Sequence, residues 1–116
     1  MIPAGNNVYG VLKPPVKLKV VLAGATSVHQ WGKAHIYVSG YDGARTIHLR
    51  SESADFDSNP IGSGEHLFNG AVGGTPDEVI AFVKRLSEAF TERGVAHQLE
   101  VYDADRQLVA EFPMDE

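Results

Sequence analysis

Two histidines, His35 and His48, flank a turn sequence, Gly40-Tyr41-Asp42-Gly43, inside a run of alternating apolar and polar residues. Imidazoles facing each other across a hairpin are the beginning of a zinc site, which Glu52 or Glu65 would have to complete. Such a site takes at least three protein ligands, and the spacing fixes only two. The expectation is therefore no metal and no cofactor. The pair is expected to belong to a polar strand face.

Other chemistries fit less well. Asp55, Asp57 and Asn59 alternate like the opening of a calcium loop, but that loop then needs Gly at its sixth position and Glu at its twelfth. Pro60 and His66 stand there. Gly70, Gly73 and Gly74 precede a helix, yet no Lys-Ser or Lys-Thr follows, and Asp77 and Glu78 occupy the ground an anion would need. The chain has no cysteine, and no serine sits in a Gly-x-Ser-x-Gly elbow. Ser63 lies in Gly-Ser-Gly with His66 three residues later and no orienting acid at fixed spacing, and no catalytic residue is assigned. Glu100 and Glu111 form a carboxylate pair on the last predicted hairpin, where outward glutamates are ordinarily just solvated.

Aromatic side chains are the more informative class. Tyr37 and Tyr102 fall on the outward parity of their strands, Tyr41 at a hairpin tip, and Phe56 among the acids of residues 53–64. Tyrosine is enriched where proteins bind one another, and an apolar patch rimmed by charge marks such a surface. Tyr37, Tyr41, Asp55, Phe56, Asp57 and Tyr102 are the expected partner-binding residues. In the alternative arrangement Trp31 and Phe56 tuck into the core.

The elements that must carry these residues are read from hydrophobic periodicity. Residues 1–15, rich in Gly, Asn and Pro, read as an extended arm. Residues 16–116 read as one α+β domain, a mostly antiparallel sheet of five to six strands with one amphipathic helix, in the order β-β-β-β-α-β-β. Val16–Ala23 reads as the first strand, with Val16, Leu18, Val20 and Leu22 on one face. Lys33–Ser39 and Ala44–Glu52 read as a hairpin whose four-residue loop sets Ile36 opposite Ile47, Ala34 opposite Leu49 and His35 opposite His48. Ser53–Gly64 reads as a long polar loop and Glu65–Val72 as a further strand. Thr75-Pro76-Asp77-Glu78 is a capping box that starts the helix, with Val79, Phe82, Val83, Leu86 and Phe90 as its apolar stripe and Gly94 as its stop. Ala96–Asp103 and Arg106–Phe112 read as a closing hairpin, with Val101 opposite Leu108.

Composition bounds the function. The chain has 116 residues, enough for one domain with its own core. Its net charge is −5, which disfavours duplex nucleic acid and suits a basic protein partner. No apolar run approaches the roughly 20 residues that span a bilayer. With no secretory signal, no membrane segment and no cysteine, a cytoplasmic setting is expected. A small acidic domain without catalytic motifs has the general form of bacterial immunity or inhibitor proteins, a compositional analogy only. The expected function is a non-catalytic protein-binding or inhibitor module that works through an acidic loop and an open sheet face. One alternative is a small enzyme or ligand-binding domain near His35 and His48, with Tyr37 and Glu52 as acid and base. Another is a self-assembling homo-oligomer paired through a free sheet edge.

Overall fold

A computed structural model of the chain describes residues 2–113. Nine elements follow one another: β1 (Val8–Leu12), α1 (Leu18–Val28), β2 (Lys33–Val38), β3 (Arg45–Arg50), β4 (Ala54–Pro60), β5 (His66–Val72), α2 (Pro76–Glu92), β6 (His97–Tyr102) and β7 (Leu108–Phe112). The seven strands form one sheet in the order β2-β3-β4-β5-β1-β6-β7, antiparallel throughout. The α+β class and the antiparallel sheet agree with the sequence reading. The strand count, the number of helices and their order do not, for three local reasons.

The first concerns residues 16–23, which from Leu18 onward form the start of a helix and not a strand. Over eight residues the pattern of Val16, Leu18, Val20 and Leu22 fits period two. Extended to Val28, the apolar positions Leu18, Val21, Leu22, Ala25 and Val28 recur every three to four residues, and Val21, Gly24 and Ala25 are buried. α1 packs against α2, and Gly24 allows the approach: a Cβ there would lie 2.9 Å from the Phe90 ring.

Residues 8–12 supply the second correction. They are not part of an arm over the domain edge but the strand between β5 and β6, near the middle of the sheet. Val8 and Leu12 are fully buried on the helix side. Asn7 fastens the start of this strand. Its side-chain amide donates to Val72 O and accepts from Val72 N–H, both at 2.9 Å, while its carbonyl accepts from Tyr102 N–H.

The third correction falls on residues 53–64. Ala54–Pro60 is strand β4, hydrogen-bonded on both sides. Its polar composition hides a strict alternation: Ala54, Phe56 and Ser58 point into the core and Asp55, Asp57 and Asn59 point away. Buried Ser58 is tolerated because its hydroxyl oxygen accepts the Ile47 N–H at 2.8 Å. Phe56 is 1% exposed, stacked 4.9 Å from Phe68. Its ring fills the space beside Gly70, where a Cβ would come within 2.6 Å of Phe56 Cγ.

In the β2–β3 hairpin and in α2 the expectations agree with the structure. In the β2–β3 hairpin Ile36 pairs with Ile47, Ala34 with Leu49, His35 with His48 and Tyr37 with Thr46. Thr75 and Glu78 form the capping box reciprocally, and Gly94 has φ +73° at the end of α2. The last hairpin is displaced: Val101 pairs with Ala110 and Leu99 with Phe112, and a bulge lies between Val101 and Tyr102. The turn is longer than four residues because the Asp103 carboxylate accepts the N–H groups of Asp105 and Gln107, with Arg106 left-handed at φ +61°.

Both helices lie on one face of the sheet. The core forms between them and the inward residues of the strands, among them Val8, Leu12, Ile47, Leu49, Phe56, Phe68, Leu99 and Val101. No helix among the described residues is long and apolar enough to cross a membrane.

Candidate functional site

Alternation along each strand sends the other set of side chains to the face that no helix covers. There the cross-strand register lines up His35, His48, Asp57 and Asn69 on β2, β3, β4 and β5. His35 and His48 stack nearly parallel, centroids 6.4 Å apart, and Tyr37 stands edge-on to both at 4.4 and 4.5 Å. His48 Nδ1 lies 3.5 Å from Asp57 Oδ1, and its Nε2 lies 3.2 Å from Thr46 Oγ1. Asp57 takes its stronger bond from Arg50, whose Nη2 donates at 2.8 Å. The Arg50 guanidinium is itself held by the carbonyls of Leu49 and Phe56. Arg50 and Asp57 thus satisfy each other, while Asp55 on the same strand face forms no ion pair among the described residues.

The other half is different. Glu100 and Glu111 are directly paired on β6 and β7, and no Lys or Arg forms an ion pair with either among the described residues. Like charges directly opposed in an antiparallel pair are unfavourable. Tyr102 donates to Glu100 at 3.2 Å and meets Tyr9 edge-on at 5.5 Å, and Gln98 donates to Glu111. Partial burial and the neighbouring Glu100 push the Tyr102 phenol up, so it stays a proton donor. Tyr9 is 42% exposed and Tyr37 49%.

Of the residues expected to bind a partner, Tyr37, Asp55, Asp57 and Tyr102 lie on this face. Tyr41 is 98% exposed at the β2–β3 turn, apart from the others. Phe56 is not a surface residue at all: its parity points it into the core, where it contacts Phe68, Phe82 and Trp31. Trp31 is also tucked in, its indole N–H donating to Ala25 O. The expected acidic loop is accordingly an acidic strand, presenting Asp55 and Asp57 at a fixed spacing. Among the described residues no group of three His, Asp or Glu side chains is placed to hold a metal, so neither Glu52 nor Glu65 completes a site with the histidines. Glu65 accepts from Ser63 instead.

Thr46, His48 and Asp57 follow one another in the sense of a nucleophile, base and orienting acid. The His48–Asp57 contact is long and Asp57 is engaged by Arg50. The arrangement can bind polar groups.

A second hydroxyl–histidine contact, not anticipated from sequence, lies on the helix side. Ser87 donates to His97 Nε2 at 2.7 Å, and His97 Nδ1–H donates to Val95 O at 2.7 Å. Both residues are buried, Ser87 under a shallow groove of about 340 Å³ shared with Lys84, Thr91 and Phe112. Burial holds His97 below its ordinary pKa, with a smaller push in the same direction from Lys13, against the pull of Val95 O. A neutral imidazole with a bare Nε2 is what the Ser87 bond requires, so the pair pins α2 to β6. The signal was present: Ser87 sits one turn after Val83 on the apolar stripe, and His97 shares the inward parity of Leu99 and Val101. His29 plays a similar part at the end of α1, bonded to Ser51 Oγ at 2.9 Å and edge-on to Trp31 and Phe82.

No known protein family matches the chain, and no curated protein shows significant similarity to it.

Proposed function

We propose that this protein is a non-catalytic binding module whose uncovered sheet face holds a protein partner carrying basic side chains. The carrying observation is the Glu100–Glu111 pair, two carboxylates opposed across neighbouring strands, without an ion-pair partner among the described residues and flanked by Tyr9 and Tyr102. A Lys or Arg from a partner would relieve their repulsion, and the tyrosine rings would contribute apolar and cation–π contact. Tyr37, Asp55 and Asp57 extend the same surface toward β2. An inhibitor or immunity role is one form such a module takes, and the net charge of −5 suits a basic target.

The test is affinity capture from the native cell with the tagged chain. Wild type and a helix-side control, Lys84→Ala, are expected to retain the same protein. Glu100→Lys combined with Glu111→Lys should lose it, and Tyr37→Ala should weaken it. A partner held equally by all four proteins would refute the assignment.

A second reading, a small enzyme, is favoured by the Thr46–His48–Asp57 order alone. Turnover of a small activated ester that disappears in His48→Ala would support it.

A further inference from the structure

The two edges of the sheet differ in how they are protected. At β7 the ladder is interrupted by the bulge between Val101 and Tyr102, the strand has five residues, and Pro113 follows it directly. These are devices that keep an edge from pairing with another chain. β2 has none of them. Its six residues pair with β3 in unbroken register, without proline, glycine or bulge, and its single full charge, Lys33, sits at the very start. Val38 is 60% exposed at the far end.

Hydrogen bonds show which backbone groups of β2 are free. Ile47 N–H points toward β4, where it meets Ser58 Oγ, and Ser51 N–H likewise reaches Ala54 O. Thr46 and His48 must therefore direct their N–H and C=O groups toward β2. Their partners Tyr37 and His35 bond back, consistent with Ser39 N–H donating to Ala44 O at the turn. The N–H and C=O groups of Ala34, Ile36 and Val38 are left to face outward.

We propose that two copies of this chain pair through β2, antiparallel about a two-fold axis at Ile36. An isologous pair demands that the strand complement itself. This register does so. Ile36 exchanges hydrogen bonds with Ile36 of the second copy, and Ala34 lies opposite the second copy's Val38 on the helix side, small against large. On the uncovered face His35 lies opposite the second copy's Tyr37, the same edge-on pairing these residues make at 4.4 Å within one chain. Lys33 falls opposite Ser39, so no like charges meet. The two sheets become one, and the exposed Val38 gains an apolar neighbour. The pairing rests on the backbone groups of the sheet edge, Tyr37 being shared with the face proposed above, and its tests read self-association alone, so it can fail without that reading failing.

The absence of cysteine makes a register-specific test possible. In the proposed pair, Cα atoms at position 36 lie about 5.5 Å apart across the axis, within disulfide reach. Those at position 38 lie roughly 14 Å apart, well outside it. Mild oxidation of Ile36→Cys should give a covalent dimer, and Val38→Cys should not. Sedimentation of the wild-type chain over about 5 to 500 µM, a range suited to a small interface, should show a species of twice the 12.5 kDa monomer mass. Val38→Lys, at an exposed position, should shift that species to monomer while leaving the circular dichroism spectrum unchanged. A wild-type chain that stays monomeric throughout, a dimer indifferent to Val38→Lys, or Val38→Cys cross-linking as readily as Ile36→Cys would each overturn the proposal.

Discussion

Phe56 gives the sharpest discrimination between a surface role and a core role. Phe56→Ala removes a ring that is 1% exposed, stacked on Phe68 and within aromatic contact of Phe82 and Trp31. The backbone around it has little room to collapse, since β4 is paired on both sides and the ring fills the space over Gly70. Truncation of a buried Phe costs about 3–5 kcal/mol, transfer and cavity terms together. Domains of this size hold only about 5–15 kcal/mol in total. With an m-value near 2 kcal/mol/M, the urea midpoint should fall by about 2 M. Phe56→Leu, which keeps most of the volume, should fall by well under half as much. Equilibrium unfolding followed by tryptophan fluorescence reads this directly, because Trp31 adjoins the site. A loss below about 1 kcal/mol at unchanged m would be too small for a filled core position and would return Phe56 to the surface. Partner capture by Phe56→Ala should decline only in proportion to its folded fraction.

Two further outcomes follow from the packing. His97 is held below its ordinary pKa by burial, so the unfolded chain takes up a proton there before the folded one does. Its contribution is complete above about pH 6.5 and is lost as pH falls through 6.5 toward the folded value. Urea midpoints should therefore decline from pH 7.5 to 5, with a flatter decline in His97→Gln; His29 and His66, shifted the same way, account for the remaining slope, and identical slopes would refute the assignment. Gly70→Ala forces a Cβ against Asp55 O and the Phe56 ring and should cost about 1–3 kcal/mol in thermal denaturation, whereas Gly62→Ala, with open space around it, should be near neutral.

The parts of the fold legible from sequence are those where one periodicity competes with no other. α2 carries a capping box, a long apolar stripe and a glycine stop, and all three agree. The β2–β3 hairpin is fixed by its turn, and its register then predicts which side chains meet on the uncovered face. α1 failed because Lys17 and Lys19 make its first turn look alternating; only the residues beyond Ala23 reveal the helical period. β4 failed because Asp, Ser, Asn and Pro dominate its composition, although its parity is regular. β1 is short, interrupted by Gly10 and followed by Pro14-Pro15, and its strand character comes from neighbours far away in sequence. That error also hid Tyr9, which stands beside Tyr102 in the candidate site. Asn69 carries no signal in the sequence, because its contact with Gly10 N–H depends on the same strand. Glu100 and Glu111 were visible as a pair, but their isolation from any cation is a property of the assembled sheet.

The position of β1 sets an order of events for the growing polypeptide. β2 to β5 are joined in sequence and can zip up as a local meander, yet β1, which precedes them, is wedged between β5 and a strand that begins only at His97. Such pairing raises contact order and slows the final closure. Until His97–Tyr102 has been synthesised, Val8–Leu12 can be bonded on one side at most. A nascent chain stalled before that point carries an unsheltered apolar strand, and it is this species, rather than the finished protein, that a chaperone would meet.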